Sequence, residues 1–155
     1  MKRIEYEVAF EELMTLIEES FQQGLTATIT VTGNSMVPLL HHKQDSVVLS
    51  ACDPQSLKRG DVPLYKRENG QYILHRIVKV NPDSFTLAGD AQSVLEYDLP
   101  KTNVRAVMTA FTRNGKTITC QHLGYRFYVM IWLWLRPVRP YILALCRRLQ
   151  GGHHK

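Results

Sequence analysis

Five turn signals cut the middle of this chain into pieces suited to short strands rather than long helices. Arg-Gly-Asp at 59–61, Glu-Asn-Gly at 68–70, Asn-Pro-Asp at 81–83, Ala-Gly-Asp at 88–90 and Arg-Asn-Gly at 113–115 separate β-branched or alternating segments. Gly, Pro and Asn reverse a chain readily because they preset or tolerate backbone angles that other residues resist. The segments they leave are 26–32, 46–50, 62–65, 72–80, 85–87, 104–111 and 116–120. The Asn-Gly pairs at 69–70 and 114–115 are strong hairpin signals. Short strands at this spacing predict a mainly β fold, a coiled antiparallel β-sheet or barrel-like domain, with helices flanking it.

The flanks have a different texture. Phe10, Leu13, Met14, Ile17 and Phe21 recur at helical spacing within residues 5–22, with Glu11, Glu12, Glu18 and Glu19 off that stripe and Gly24 at its end. An N-terminal amphipathic helix packed on the sheet is expected there. At the other end, residues 127–135 are apolar, residues 136–140 carry two Arg and two Pro, and residues 141–149 turn apolar again. A spanning helix needs about 20 apolar residues, so neither run suffices. The division that follows is a domain over residues 1–124, including the first helix, and a C-terminal helical tail over 125–155.

Charge locates the tail's partner. The chain carries a net +5, yet residues 1–121 hold 13 Lys/Arg against all 14 Asp/Glu, a balance of −1. The excess is Arg126, Arg136, Arg139, Arg147, Arg148 and Lys155, in a stretch with no acid. Nucleic-acid binders spread such charge over a face of the folded domain, so no nucleic-acid partner is expected. Basic, aromatic and aliphatic residues in one terminal segment, with Trp132, Trp134 and Tyr141 among them, suit an anionic membrane surface instead. Burial against the β domain and a partner-binding helix are the competing expectations for the tail. Glu5, Glu7, Glu11 and Glu12 follow the opening Met-Lys-Arg with no apolar run, so no signal peptide or N-terminal anchor is expected. Peripheral membrane association, on the cytoplasmic side, is the resulting expectation. Cys52, Cys120 and Cys146 are odd in number and far apart, which supports neither a disulfide framework nor a zinc site. His41 and His42 are read as solvated loop residues, and no metal or cofactor is expected.

Two residues could carry chemistry. Ser35 lies in a turn bracketed by Gly33 and Pro38, where a hydroxyl can be exposed and another backbone can approach closely. His75 lies inside the apolar segment 72–78. A serine hydroxyl is a poor nucleophile at neutral pH and needs a base, and a neutral imidazole can serve.

With these residues the chain resembles the S24/S26 serine peptidase group, and within it the signal peptidases of the endoplasmic-reticulum and sporulation type. The family's nucleophile box, Gly-x-Ser-Met-x-Pro, matches Gly33-Asn34-Ser35-Met36-Val37-Pro38. Its Arg-Gly-Asp box before a hydrophobic strand matches Arg59-Gly60-Asp61 and the strand through Tyr65. Where the bacterial enzymes carry a catalytic Lys before an Arg, this chain has His75-Arg76, as the Ser/His enzymes do. Its Gly-Asp box is Gly89-Asp90, followed by Ala91 rather than Asn. The likeness spans residues 26–111.

The resemblance implies a catalytic domain of the signal-peptidase/LexA type. It implies a serine endopeptidase that cleaves signal or leader peptides after small residues, with a precursor polypeptide as substrate. Ser35 would be the nucleophile, His75 the general base and Asp90 the acid that orients the imidazole. Asp98 is the alternative acid, and Glu96 lies in the same stretch. The hydroxyl that the bacterial enzymes place two residues before the nucleophile is replaced by Gly33. Asn34 and Met36, beside Ser35, would then contribute the oxyanion and substrate contacts through their backbone. Two other readings stand beside this one: a non-catalytic β module that binds peptides or membranes, and a self-cleaving regulator of the repressor type. The latter calls for a Lys base and a longer segment ahead of the nucleophile.

Overall fold

The computed structural model describes the backbone of residues 2–150 and the side chains of residues 10–149. Glu5, Glu7, His153, His154 and Lys155 have side chains outside the described residues.

Helix α1 (Lys2–Gln22) ends where Gly24 predicts. Gly24 adopts φ 73°, its N–H donates to the Phe21 carbonyl, and the Leu25 N–H reaches back to the Ser20 carbonyl. This paired closure of the last turn needs a left-handed residue, which glycine supplies without steric cost. Met14, Ile17 and Phe21 are buried, whereas Leu13 is 43% exposed. At about 100° per residue, Leu13 stands about 70° around the axis from the centre of the buried arc.

Strands β1 (Ala27–Thr30), β2 (Ser46–Ser50), β3 (Pro63–Lys66), β4 (Tyr72–Leu74), β8 (Val104–Arg113) and β9 (Lys116–Thr119) form a curled antiparallel sheet in the order β1-β2-β8-β3-β4, with β9 paired to β8. The long β8 is its spine, pairing β2, β3 and β9. Asn114 and Gly115 sit at φ 51° and 74°, the left-handed pair that a tight β8–β9 hairpin demands. A smaller antiparallel sheet contains β5 (Arg76–Val80), β6 (Ser84–Ala88) and β7 (Glu96–Pro100).

Two features depart from the sequence reading. The segment 72–80 is not one strand: β4 belongs to the larger sheet, β5 to the smaller, and His75 is the joint between them. Strand β7 was not expected. Only Leu99 is buried in it, Asp98 has φ 54° and Pro100 closes it, so it lacks the alternation that marks a strand.

The larger core lies between α1 and the larger sheet, with Met14, Leu40, Val47, Leu49 and Ala106 at its centre. The smaller gathers Tyr65, Ile77, Phe85, Leu87, Leu99 and Val104. Each fully buried aliphatic or aromatic side chain of this kind contributes about 1.5–3 kcal/mol.

The tail forms α2 (Leu123–Trp134) and α3 (Arg139–Gln150), bent by 65°. Among the described residues no single helix is long and apolar enough to cross a bilayer. Tyr125, Trp132 and Leu133 are buried, and Tyr125 joins the larger core. The boundary expected at 124/125 therefore falls inside a helix whose inner face belongs to the β domain. Trp132 and Arg139, counted from sequence among the surface-seeking residues, are both turned inward. Arg139 is 2% exposed and donates through Nε and Nη2 to the Trp132 carbonyl.

Candidate active site

The turn that carries Ser35 leaves β1 and is pinned at both ends. Val31 donates to the Asp45 carbonyl, and Lys43 donates to that of Val31. Gly33, at φ 88°, donates its N–H to His42 Nδ1 at 2.8 Å. The buried Asp45 carboxylate accepts from the His41 N–H at 2.8 Å and from Arg113 Nη2 at 3.0 Å. Arg113 also donates to the Pro38 and Leu39 carbonyls. His41 and His42, expected to be idle and solvated, are fasteners of the Ser35 turn. Met36 is 2% exposed and packs in the larger core, so its side chain is not available to substrate. The backbone N–H groups of Asn34, Ser35 and Met36 donate to no other group among the described residues, which leaves them uncommitted as oxyanion donors.

Gly89 brings the expected boxes together. The Ala91 N–H donates to the Ser35 carbonyl at 2.9 Å, and the Ser35 backbone lies directly against the Gly89 Cα. On the smaller sheet Arg76, the residue after His75, pairs with Ala88, the residue before Gly89. No hydrogen bond joins Ser35 Oγ to His75 among the described residues.

His75 is 4% exposed. Burial pushes its imidazole down to about 4; Glu96 opposes that shift and Arg67 adds to it. The ring is therefore neutral near pH 7. Its Nδ1 lies 3.2 Å from the Tyr65 hydroxyl and 3.8 Å from Glu96 Oε2. Tyr65 in turn donates to Glu96 Oε2 at 2.6 Å. Arg67 grips both oxygens of Glu96 at 2.8 Å through Nε and Nη2, and these bonds hold the Glu96 carboxyl below its usual range. His75 Nε2 has no hydrogen-bond partner among the described residues, and it is not an atom sealed from solvent.

Asp90, expected to orient the imidazole, is engaged elsewhere. Arg76 Nε and Nη2 donate to its two carboxylate oxygens at 2.8 and 2.7 Å, both side chains being almost wholly buried. Arg76 Nη1 donates further to the Gly60 carbonyl and to the Tyr125 hydroxyl. Tyr128 donates to Asp90 Oδ2 at 3.0 Å, and Trp132 Nε1 to the Asp90 carbonyl at 3.1 Å. The physical reason is that an arginine inside an apolar strand must find an acid, because an unpaired buried guanidinium is prohibitive. Asp98, the alternative, is exposed and makes no described hydrogen bond. The acid nearest Nδ1 is Glu96, with Tyr65 between them.

A cleft of about 600 Å³ opens beside His75, lined by Arg67, His75, Leu87, Val94, Leu95 and Glu96. A second cleft of similar size lies along α2 and the 58–62 turn and contains neither Ser35 nor His75. Among the described residues no cluster of His, Cys, Asp and Glu is placed to hold a metal ion. No protein-family model and no curated protein matches the chain.

Proposed function

We propose that this chain is a serine endopeptidase of signal-peptidase type, cutting extended leader or signal peptides after small residues. The observation that carries the reading is the packing of the Ser35 turn on the Gly89–Ala91 turn, whose Asp90 is held by Arg76, the residue that follows a buried, neutral His75. In this mechanism His75 Nε2 takes the proton from Ser35 Oγ as Oγ bonds to the scissile carbonyl carbon. The carbonyl oxygen becomes an oxyanion held by backbone N–H groups of the 34–36 turn. Collapse breaks the C–N bond, His75 returns the proton to the leaving amine, and water then releases the acyl group by the same route. The apolar wall of Leu87, Val94 and Leu95 beside His75 suits small uncharged substrate side chains.

A fluorophosphonate probe should label the intact chain, and Ser35→Ala should abolish both labelling and cleavage of an Ala-x-Ala peptide. Equal labelling of S35A would refute the nucleophile. An unlabelled wild type would leave the chain as a peptide- or membrane-binding β module.

The same protein would work at an anionic membrane surface. Phe127, Met130 and Trp134 on α2, then Tyr141, Leu145 and Leu149 on α3, are all more than half exposed and recur at helical spacing. Arg126, Arg147 and Arg148 are exposed around them, with Arg136 half-buried. At about 1 kcal/mol per basic side chain these four contribute about 4 kcal/mol before ordering costs. Liposome binding should rise with phosphatidylglycerol content and weaken in salt without vanishing, because burial of Trp134 is not screened. Trp134→Ser with Tyr141→Ser should remove the salt-resistant part; full binding by that variant would overturn the assignment of this face.

A further inference from the structure

We propose that Tyr65, backed by Glu96 and Arg67, fixes which nitrogen of His75 carries the proton and leaves Nε2 as the basic one. The proposal rests on reading His75 as the general base. A phenol has a single proton and can donate to one neighbour at a time. Tyr65 stands between two groups able to accept it, Glu96 Oε2 at 2.6 Å and His75 Nδ1 at 3.2 Å. The carboxylate takes it, because an O–H···O⁻ bond of this length is the shorter and stronger kind. Arg67 secures the outcome. A guanidinium can only donate, and with two of its N–H groups on Glu96 it keeps that carboxylate ionised and accepting.

The Tyr65 oxygen can then face Nδ1 only as an acceptor. Nδ1 therefore carries the hydrogen of the neutral imidazole, and the lone pair lies on Nε2. The opposite tautomer would set two lone pairs against each other at 3.2 Å in a buried site, a contact with nothing to compensate it. Every donation in the chain runs the same way: His75 to Tyr65, Tyr65 to Glu96, with Arg67 donating from the far side. When Nε2 accepts the Ser35 proton, Nδ1 keeps its own. The resulting imidazolium has the Glu96 charge 3.8 Å away. No proton passes to the carboxylate, and the one gained on Nε2 leaves with the amine. Tyr65 and Glu96 are thus positioning residues, filling the place that the Gly-Asp box was expected to fill.

The test reads the tautomer directly. In the ¹⁵N-labelled full chain at pH 7, long-range proton–nitrogen correlation distinguishes a bare from a protonated imidazole nitrogen. The His75 signals are those that His75→Gln removes. The wild type should show Nδ1 protonated and Nε2 bare. Glu96→Ala frees the phenol proton to turn toward Nδ1 and should invert the pattern, with at least a tenfold loss of fluorophosphonate labelling at Ser35. Tyr65→Phe should give a mixture of tautomers. A wild-type His75 protonated on Nε2 overturns the proposal, and so does a pattern unchanged in both variants. If a variant loses its amide dispersion, the wild-type pattern decides alone. Correct tautomers in a chain that the probe never labels would sink the peptidase reading and leave this assignment standing.

Discussion

Gly89 has no room for a side chain because Ser35 fills the space. A methyl group on its Cα would stand 2.5 Å from the Ser35 carbonyl oxygen and 3.1 Å from Ser35 Cβ. Both neighbours are close to the backbone, so relief requires the turn itself to move, at about 1–3 kcal/mol. Gly89→Ala should lower the unfolding free energy by that amount and slow Ser35 labelling, although neither Ser35 nor His75 is substituted. Urea denaturation and labelling rates check the two effects; wild-type values for both would show that the turn does not depend on this contact.

His75 predicts a loss of stability in mild acid. Its folded value is about 4 against an ordinary 6.5. Between those limits the unfolded chain binds a proton that the folded chain refuses, so stability falls as pH drops from about 6.5 to 4. The full difference is about 3 kcal/mol. Glu96, held low by Arg67, adds its own loss only below its ordinary range near 4.5. His75→Gln should flatten the 6.5-to-4 slope in denaturant titrations at several pH values. For the same reason the acid limb of the labelling rate should lie well below pH 6.5.

The two acids named from sequence should behave oppositely. Asp90→Ala strands a buried Arg76 and should cost about 3–5 kcal/mol. Replacing Arg76 and Asp90 together by Met and Leu should recover most of that loss. Asp98 is exposed at φ 54°, a conformation glycine accepts freely. Asp98→Gly should be neutral or slightly stabilising, and thermal unfolding of the variants side by side decides.

Where the tail is cut should matter more than how much is removed. A chain ending at residue 122 loses the Tyr125, Tyr128 and Trp132 hydrogen bonds to the Arg76–Asp90 pair along with their buried rings. It should fail to give a dispersed amide spectrum. A chain ending at 140 keeps α2 and Arg139 and removes only exposed and half-buried described side chains. It should stay folded and lose most of its affinity for anionic liposomes. A folded, reactive 1–122 chain would contradict the packing of α2.

The turn around Ser35, the apolar run around His75 and the positions of most strands were legible because each is a local pattern. The role of Asp90 was not, because sequence order placed it after His75 but could not say that Arg76, one residue further along, would claim it. A signal did exist. An arginine in an apolar strand demands an acid, and the Gly-Asp turn could supply one. Glu96 was visible in the right stretch, though nothing local distinguished it from Asp98. Tyr65 was visible only as a strand residue. Its role depends on the pairing of β3 with β4, which brings it across from Ile73 near the His75 joint. Strand β7 was hidden by its charges and by Pro100. The apolar, basic and aromatic texture of the tail was legible, but the side on which Trp132 and Arg139 would fall was set by the Asp90 carbonyl and by the Trp132 carbonyl itself.

His75 is the only residue between β4 and β5, and its two supports come from opposite sides of that joint. Tyr65 belongs to β3 of the larger sheet, and Glu96 to β7 of the smaller. The 2.6 Å bond between them, with the two Arg67–Glu96 bonds beside it, therefore ties the two sheets together across that joint. Opening the angle between the sheets by even one ångström at this point would release the phenol proton and let the imidazole lose its tautomer. On the proposed tautomer, the imidazole of His75 thus registers how the two sheets are set against each other at the joint.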